Sequence, residues 1–252
     1  MSEQRLDVLD GWRGISISLV LAGHLLPLGP KSWEMNAAVA ASGMVIFFIL
    51  SGFLITSLLL RDSHIGHFLV RRVLRIVPLA WLVLTITLIL TGDNLTVWLR
   101  NLSFTANWFS KDSLVPAGSH FWSLGLEMQF YAGVALLVFV LGKRGVWLLP
   151  VFALAVTLNR VHEGAWIDIN TLLRADEILA GCILALIYHH HQIKGYALLK
   201  LFHIHPLLVA PIVVLSSHPA GGWLNYLRPY LACWMIGTTL FVSREDTFTR
   251  IL

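Results

Sequence analysis

The protein is 252 residues long, 57% hydrophobic and only 13% charged, with a formal net charge of +4. Soluble domains average about 45–50% apolar and about 25% charged residues. The composition therefore excludes a soluble globule, a disordered chain, a collagen-like fibre and a disulfide scaffold, and indicates an all-α, polytopic bundle of transmembrane helices. There is no polar domain to present a basic face, so the surplus of Lys and Arg reads as cytoplasmic loops rather than a nucleic-acid surface.

The N-terminal run MSEQRLDVLDGWRG mixes acids with bases, and no small-residue cleavage site follows it, so it is not expected to be a removable signal peptide. A membrane helix needs about 20 mostly apolar residues. Eight stretches qualify as candidates: 12–29, 37–60, 73–91, 121–141, 146–158, 171–188, 198–217 and 226–243. The fifth is short, and the seventh is interrupted by Lys200, His203, His205, Pro206 and Pro211. Long apolar runs, rather than short alternating strands, argue against a β-barrel. With the N-terminus in the cytoplasm, twelve positive residues face that side (Arg5, Arg13, Arg61, Arg71, Arg72, Arg75, Lys143, Arg144, Lys194, Lys200, Arg244 and Arg250). Six face the other (Lys31, Arg100, Lys111, Arg160, Arg174 and Arg228), and the longest loop, 92–120, points outward. Cys182 and Cys233 lie in apolar stretches and read as reduced, buried thiols. The tract His189-His190-His191 reads as a solvated helix end near carbonyl groups, and no metal site is expected.

Charge inside a span costs about 2.5–3.5 kcal/mol on insertion scales, so the polar residues within these stretches mark the places to look for chemistry. Arg13 and His24 are eleven residues apart on the first stretch. On a helix that is three turns plus about 20° and about 16 Å, which puts both on one stripe, Arg13 at the boundary and His24 near mid-membrane. Asp10 is placed to pair with Arg13. Arg71, Arg72 and Arg75 form one cationic helix face, which suits either a positive-inside cluster or a phosphorylated ligand, since guanidinium groups grip phosphate bidentately. Glu127 sits near the outer end of the fourth stretch. Arg174, Asp176 and Glu177 crowd the start of the sixth, as a structural ion pair or as part of a site. Ser51, beside Gly52, fits helix packing with Gly43 better than a nucleophile, because no strand–turn–helix surrounds it.

Four motifs in order resemble the acyltransferase family 3 proteins, membrane enzymes that acylate carbohydrates and other hydroxyl acceptors. They are LDGWRG (Leu9–Gly14) followed by Gly23-His24, GMVIFFILSGF (Gly43–Phe53), RRVLRIVP (Arg71–Pro78) and HFWSLGLEMQFY (His120–Tyr131), with a fainter match at RADEILAGCILA (Arg174–Ala185). The resemblance covers nearly the whole chain as one acyltransferase domain, 1–252. Family members usually have about ten spans, and their usual closing motif would fall beyond Leu252, so a natural short form or a C-terminally truncated product is expected. The extra esterase domain of some relatives is not expected, and Trp81 stands where relatives often have tyrosine.

The resemblance implies a multi-pass protein of the bacterial inner membrane that moves an acyl group, usually acetyl from acetyl-CoA, to a sugar hydroxyl. Acyl-CoA would be a co-substrate, with no bound cofactor. The residue chemistry agrees: a hydroxyl attacking a thioester needs a base, and His24 is the expected one, with Glu127 orienting it or binding acceptor hydroxyls. Arg13, Arg71, Arg72 and Arg75 fall to the donor phosphates, and His120, Trp122, Ser123 and Tyr131 to the acceptor side. Asp10, Ser51, Arg174 and Asp176 are left as support. The partners implied are the lipid bilayer and a carbohydrate or glycolipid. The competing readings are a transporter or flippase of lipid-linked glycans, against which stands the lack of internal repeats, and an inactive scaffold of polysaccharide assembly.

Overall fold

The computed structural model describes residues 7–61, 65–109, 114, 120–194 and 204–241. They form helices α1 (Asp7–Leu25), α2 (Met35–Arg61), α3 (Ile65–Thr91), α4 (Leu95–Leu102), α5 (Phe121–Leu141), α6 (Leu149–His162), α7 (Asp176–Lys194), α8 (Pro206–Ser217) and α9 (Leu224–Phe241). No strand occurs among the described residues. Each of the eight apolar stretches holds a helix, and 121–141 coincides with α5. Residues 198–203 of the seventh stretch and 242–243 of the eighth lie outside the described residues. α4 departs from the expected outward loop: it is an eight-residue helix, too short to show as an apolar run, whose Asn94 cap accepts from the Val97 N–H at 3.1 Å.

Among the described residues, three helical stretches are long and apolar enough to cross a membrane: Met35–Arg61, Leu69–Thr91 and Phe121–His162. α3 shows why. Val77, Ala80, Leu84 and Leu88 are buried, yet Leu79, Leu82, Ile86, Ile89 and Leu90 on its other sides are exposed. A helix apolar all round is a membrane helix when its outer face meets no protein.

The helices pack as two compact units. The first comprises residues 1–57, 149–167 and 176–252. Its core joins Val45, Ile49 and Phe53 of α2 to Leu184 and Ala185 of α7 and Ala232, Met235 and Ile236 of α9. α2 and α7 cross glycine to backbone: a Cβ on Gly52 would overlap the Ile178 carbonyl, and one on Gly181 the Ile49 carbonyl. Small residues allow this approach, which is how helices associate where lipid removes the hydrophobic drive. Gly43 packs likewise on α1, where a Cβ would lie 2.7 Å from the Ser16 carbonyl oxygen; Ser16 Oγ donates to Gly43 O at 2.8 Å. The packing role read for Gly43 and Gly52 thus has its geometric reason. Trp12 Nε1 donates to Thr239 Oγ1 at 2.9 Å and ties α1 to α9.

The same unit buries four charges. Arg160 of α6 pairs with Asp176 of α7, and Glu177 of α7 with Arg228 of α9, all four side chains at 0% exposure. Arg228 reaches Glu177 Oε1 with Nε at 2.9 Å and Nη2 at 2.6 Å. Arg160 Nη2 also donates to the carbonyls of Trp166 (3.1 Å) and Asn225 (3.0 Å). The acids crowding the start of the sixth stretch are therefore held by arginines from two other helices, Arg160 and Arg228.

The second unit comprises residues 58–148 and 168–175. Its core sets Val77, Ala80, Leu84 and Leu88 of α3 against Phe104, with Val97 and Trp98 of α4 and Phe121 and Leu124 of α5 packed alongside.

Removing one member of a buried ion pair leaves the other uncompensated, at a cost of about 3–5 kcal/mol, whereas replacing both by apolar residues is often close to neutral. Asp176→Ala is expected to lower stability by about that amount, and Arg160→Met with Asp176→Leu to recover most of it. Thermal unfolding in detergent measures both. A double variant no more stable than the single one contradicts the pairing as the source of the loss.

Candidate active site

In the first unit, Arg13 donates to Asp10 within the first turns of α1, and both side chains are partly exposed. The acid lies three residues before the base, so the helix itself brings them together. His24 occupies the last turn of α1, not mid-span, because Pro27, Gly29 and Pro30 end the helix at Leu25. Asn36 of α2 closes that end: its Nδ2 donates to Gly23 O at 2.8 Å and Leu26 O at 2.7 Å. The His24 ring is exposed, with Nδ1 2.8 Å from Val20 O. A carbonyl only accepts, so Nδ1 carries the proton of the neutral ring and Nε2 keeps the lone pair. Ser51 is buried in α2 beside the Gly52 crossing.

In the second unit, Arg72 of α3 and Glu127 of α5 come within 3.8 Å. Arg72 Nη1 donates to Tyr131 OH at 3.1 Å, and that hydroxyl donates to Glu127 Oε1. This revises two expectations. Arg72 and Glu127 do not lie toward opposite faces of the membrane, because their side chains meet. Nor do the three arginines of α3 share one face: Arg71 and Arg75 are exposed, while Arg72 turns toward α5. Phase explains the second point, since positions 71 and 75 are one turn apart and 72 is rotated about 100° from 71.

Of the acceptor-side candidates, His120, Trp122 and Ser123 cluster at the start of α5, while Tyr131 lies midway along it. His120 is exposed and stacks on Phe121, ring centroids 5.2 Å apart. Ser123 Oγ donates to the His120 carbonyl at 3.0 Å. Trp122 carries the Arg174 guanidinium over its ring at 5.1 Å, a cation–π contact on a face that could otherwise receive a sugar. Arg174 Nη1 donates to Asp168 O at 3.3 Å. A cleft opens here, with Asn101, Phe104, Asn107, Trp122 and Gly125 among its walls.

Below this cleft lies an amide network that the sequence reading missed. Gln129 Nε2 donates to Phe104 O (2.6 Å) and Asn107 Oδ1 (2.8 Å). Asn107 Nδ2 donates to Ile169 O (3.0 Å) and Thr171 Oγ1 (2.9 Å), and Thr171 Oγ1 donates to Gln129 Oε1 at 2.5 Å. The signal was available: Gln129 is a polar residue two positions after Glu127 in an otherwise apolar run. Among the described residues no group of three His, Cys, Asp or Glu side chains converges on a metal position.

The first unit supplies an exposed imidazole; the second supplies a buried carboxylate bonded by a phenol beside a guanidinium, and two exposed guanidinium groups. A family model described as an acyltransferase domain matches residues 6–245. The chain belongs to that family, acyltransferase family 3, and is an integral-membrane protein of it. It is similar to a Staphylococcus aureus (strain COL) protein bearing a provisional O-acetyltransferase name, 28% identical over 224 residues, which cover 74% of this chain and 35% of that protein. It is also similar to the peptidoglycan O-acetyltransferase OatA of Listeria monocytogenes, 26% identical over 234 residues, covering 77% and 36% respectively. The O-acetyltransferase OatA of Staphylococcus aureus (strain NCTC 8325 / PS 47) matches at 26% over 228 residues, again 77% and 36%. The chain thus spans about a third of the length of these relatives. No solved structure matches it significantly.

Proposed function

We propose that this protein transfers an acyl group, acetyl in the first instance, from acyl-CoA to a hydroxyl of a cell-surface or lipid-linked carbohydrate. The observation that carries the reading is His24, an exposed imidazole held through Nδ1 on the Val20 carbonyl, in a chain that matches an acyltransferase family almost end to end. Relatives named for O-acetylation, one of them of peptidoglycan, favour a glycan hydroxyl as acceptor.

In this reading Nε2 of His24 takes the proton as the acceptor oxygen attacks the thioester carbonyl. The carbon–sulfur bond then breaks and the thiolate leaves, to be protonated as free coenzyme A. Arg71 and Arg75, both exposed on α3, hold the donor's phosphates. Within the second unit, Glu127 binds acceptor hydroxyls, and the face of α5 bearing His120, Trp122 and Ser123 receives the sugar. Coenzyme A is cytoplasmic, and the twelve-to-six bias of positive residues favours a cytoplasmic N-terminus, in keeping with a protein of the bacterial inner membrane.

The orientation is tested by a cysteine placed at Ser63. An impermeant thiol reagent added outside intact cells is expected to leave it unlabelled, and labelling contradicts the topology. The chemistry is tested with radiolabelled acetyl-CoA and membrane vesicles from producing cells, scoring label in glycan per mole of folded protein. General-base catalysis contributes about 10²–10⁴-fold, so His24→Ala is expected to lose that factor. His24→Gln, which keeps a hydrogen-bonding side chain without the basicity, is expected to be nearly as impaired. Near-normal transfer by His24→Gln makes His24 a structural residue.

A further inference from the structure

We propose that Tyr131 is a positioning residue that fixes the Glu127 carboxylate by coupling it to Arg72, and that Arg72 therefore acts on Glu127 rather than on the donor's phosphates. The proposal rests on the acyl-transfer reading above and assigns a role within its site.

Geometry makes the phenol the link. Arg72 Nη1 lies 3.8 Å from Glu127 Oε1, beyond hydrogen-bonding distance. The Tyr131 hydroxyl stands between them, accepting from Arg72 Nη1 at 3.1 Å and donating to Glu127 Oε1. A guanidinium has no acceptor and an ionised carboxylate no donor, so the direction of both bonds is fixed. The phenol hydroxyl serves both ends, and phenylalanine can serve neither.

The placement is equally specific. Glu127 and Tyr131 are four residues apart on α5, one turn, so the helix aligns them on one face. Both are buried, at 5% and 2% exposure, where water competes poorly for the carboxylate. Arg72 comes from α3, its guanidinium carbon 5.7 Å from the Tyr131 ring centroid. Tyr131 therefore joins a carboxylate on one helix to a charge on another. Without its hydroxyl the Glu127 side chain loses the bond from Tyr131 to Oε1, while the ring remains.

The two arginine roles separate in kinetics. A phosphate ligand binds donor in ground state and transition state alike, so its loss appears in KM; a group that orients the reacting hydroxyl acts in the transition state, so its loss appears in kcat. With radiolabelled acetyl-CoA and vesicles from producing cells, Tyr131→Phe is expected to lower kcat at least tenfold while KM for acetyl-CoA stays within about twofold. Arg72→Lys should follow the same pattern, whereas Arg71→Ala and Arg75→Ala should raise KM. Tyr131→Phe combined with Glu127→Gln should be no slower than Glu127→Gln alone, since the phenol acts through the carboxylate. Detergent-extracted size-exclusion profiles normalise every variant to folded protein. Full kcat in Tyr131→Phe, losses that multiply in the double variant, or an Arg72→Lys effect confined to KM overturns the positioning role and leaves acyl transfer standing. A wild-type chain that transfers no acetyl group overturns the acyl-transfer reading, and this role with it.

Discussion

Two buried ion pairs, Arg160–Asp176 and Arg228–Glu177, constrain everything in the first unit. Each ion withdrawn from water carries a desolvation penalty of several kcal/mol, and four are withdrawn here completely. They are tolerable only if α6, α7 and α9 hold the charges in register, so the pairs specify one arrangement of those helices. The Trp166 carbonyl receives both guanidinium groups, Arg160 at 3.1 Å and Arg228 at 3.4 Å, which also fixes the chain after α6. α7 then presents Gly181 to Ile49 of α2 while Gly52 meets Ile178. α2 in turn carries Gly43 against α1 and Asn36 against its end. His24 is thus positioned by a succession of backbone contacts that starts at the ion pairs.

The second unit solves the same problem with different chemistry. Its one acid inside α5, Glu127, is met by a phenol and a guanidinium. Its amides are satisfied by each other and by the backbone of 104–108 and 168–171. Phe104 takes a positive φ of 58° there, and Gln129 bonds its carbonyl at 2.6 Å, so a strained turn is secured by a side chain from a rigid helix. Exposed apolar surface on α3 completes the membrane character: the outward side chains find their solvent in lipid.

The helices were legible in the sequence because hydrophobic length is a local property. Runs such as Met44–Leu60 or Phe121–Leu141 declare themselves without reference to the rest of the chain, and the family motifs sit on them. Gly43 and Gly52 were readable for the same reason: small residues in an apolar run mark close approach. Partnership was not legible. Asp176 and Glu177 were visible as buried acids, but nothing local names Arg160, sixteen residues earlier, or Arg228, fifty-one residues after Glu177. Arg72 and Glu127 were each singled out for function, yet their meeting depends on how α3 and α5 pack. α4 was missed because eight residues are too few for periodicity to show. His24 falls in the last turn of α1 rather than mid-helix, since the apolar run continues past Leu25 although the prolines end the helix.

The central claim is that this bundle esterifies a glycan hydroxyl. Mass spectrometry of surface and lipid-linked glycans from cells with and without the gene tests it most directly, with a third strain carrying the His24→Ala chain. The account predicts acyl esters, acetyl foremost, that disappear on deletion, return with the native chain and do not return with the variant. Identical glycan profiles in cells with and without the gene contradict it.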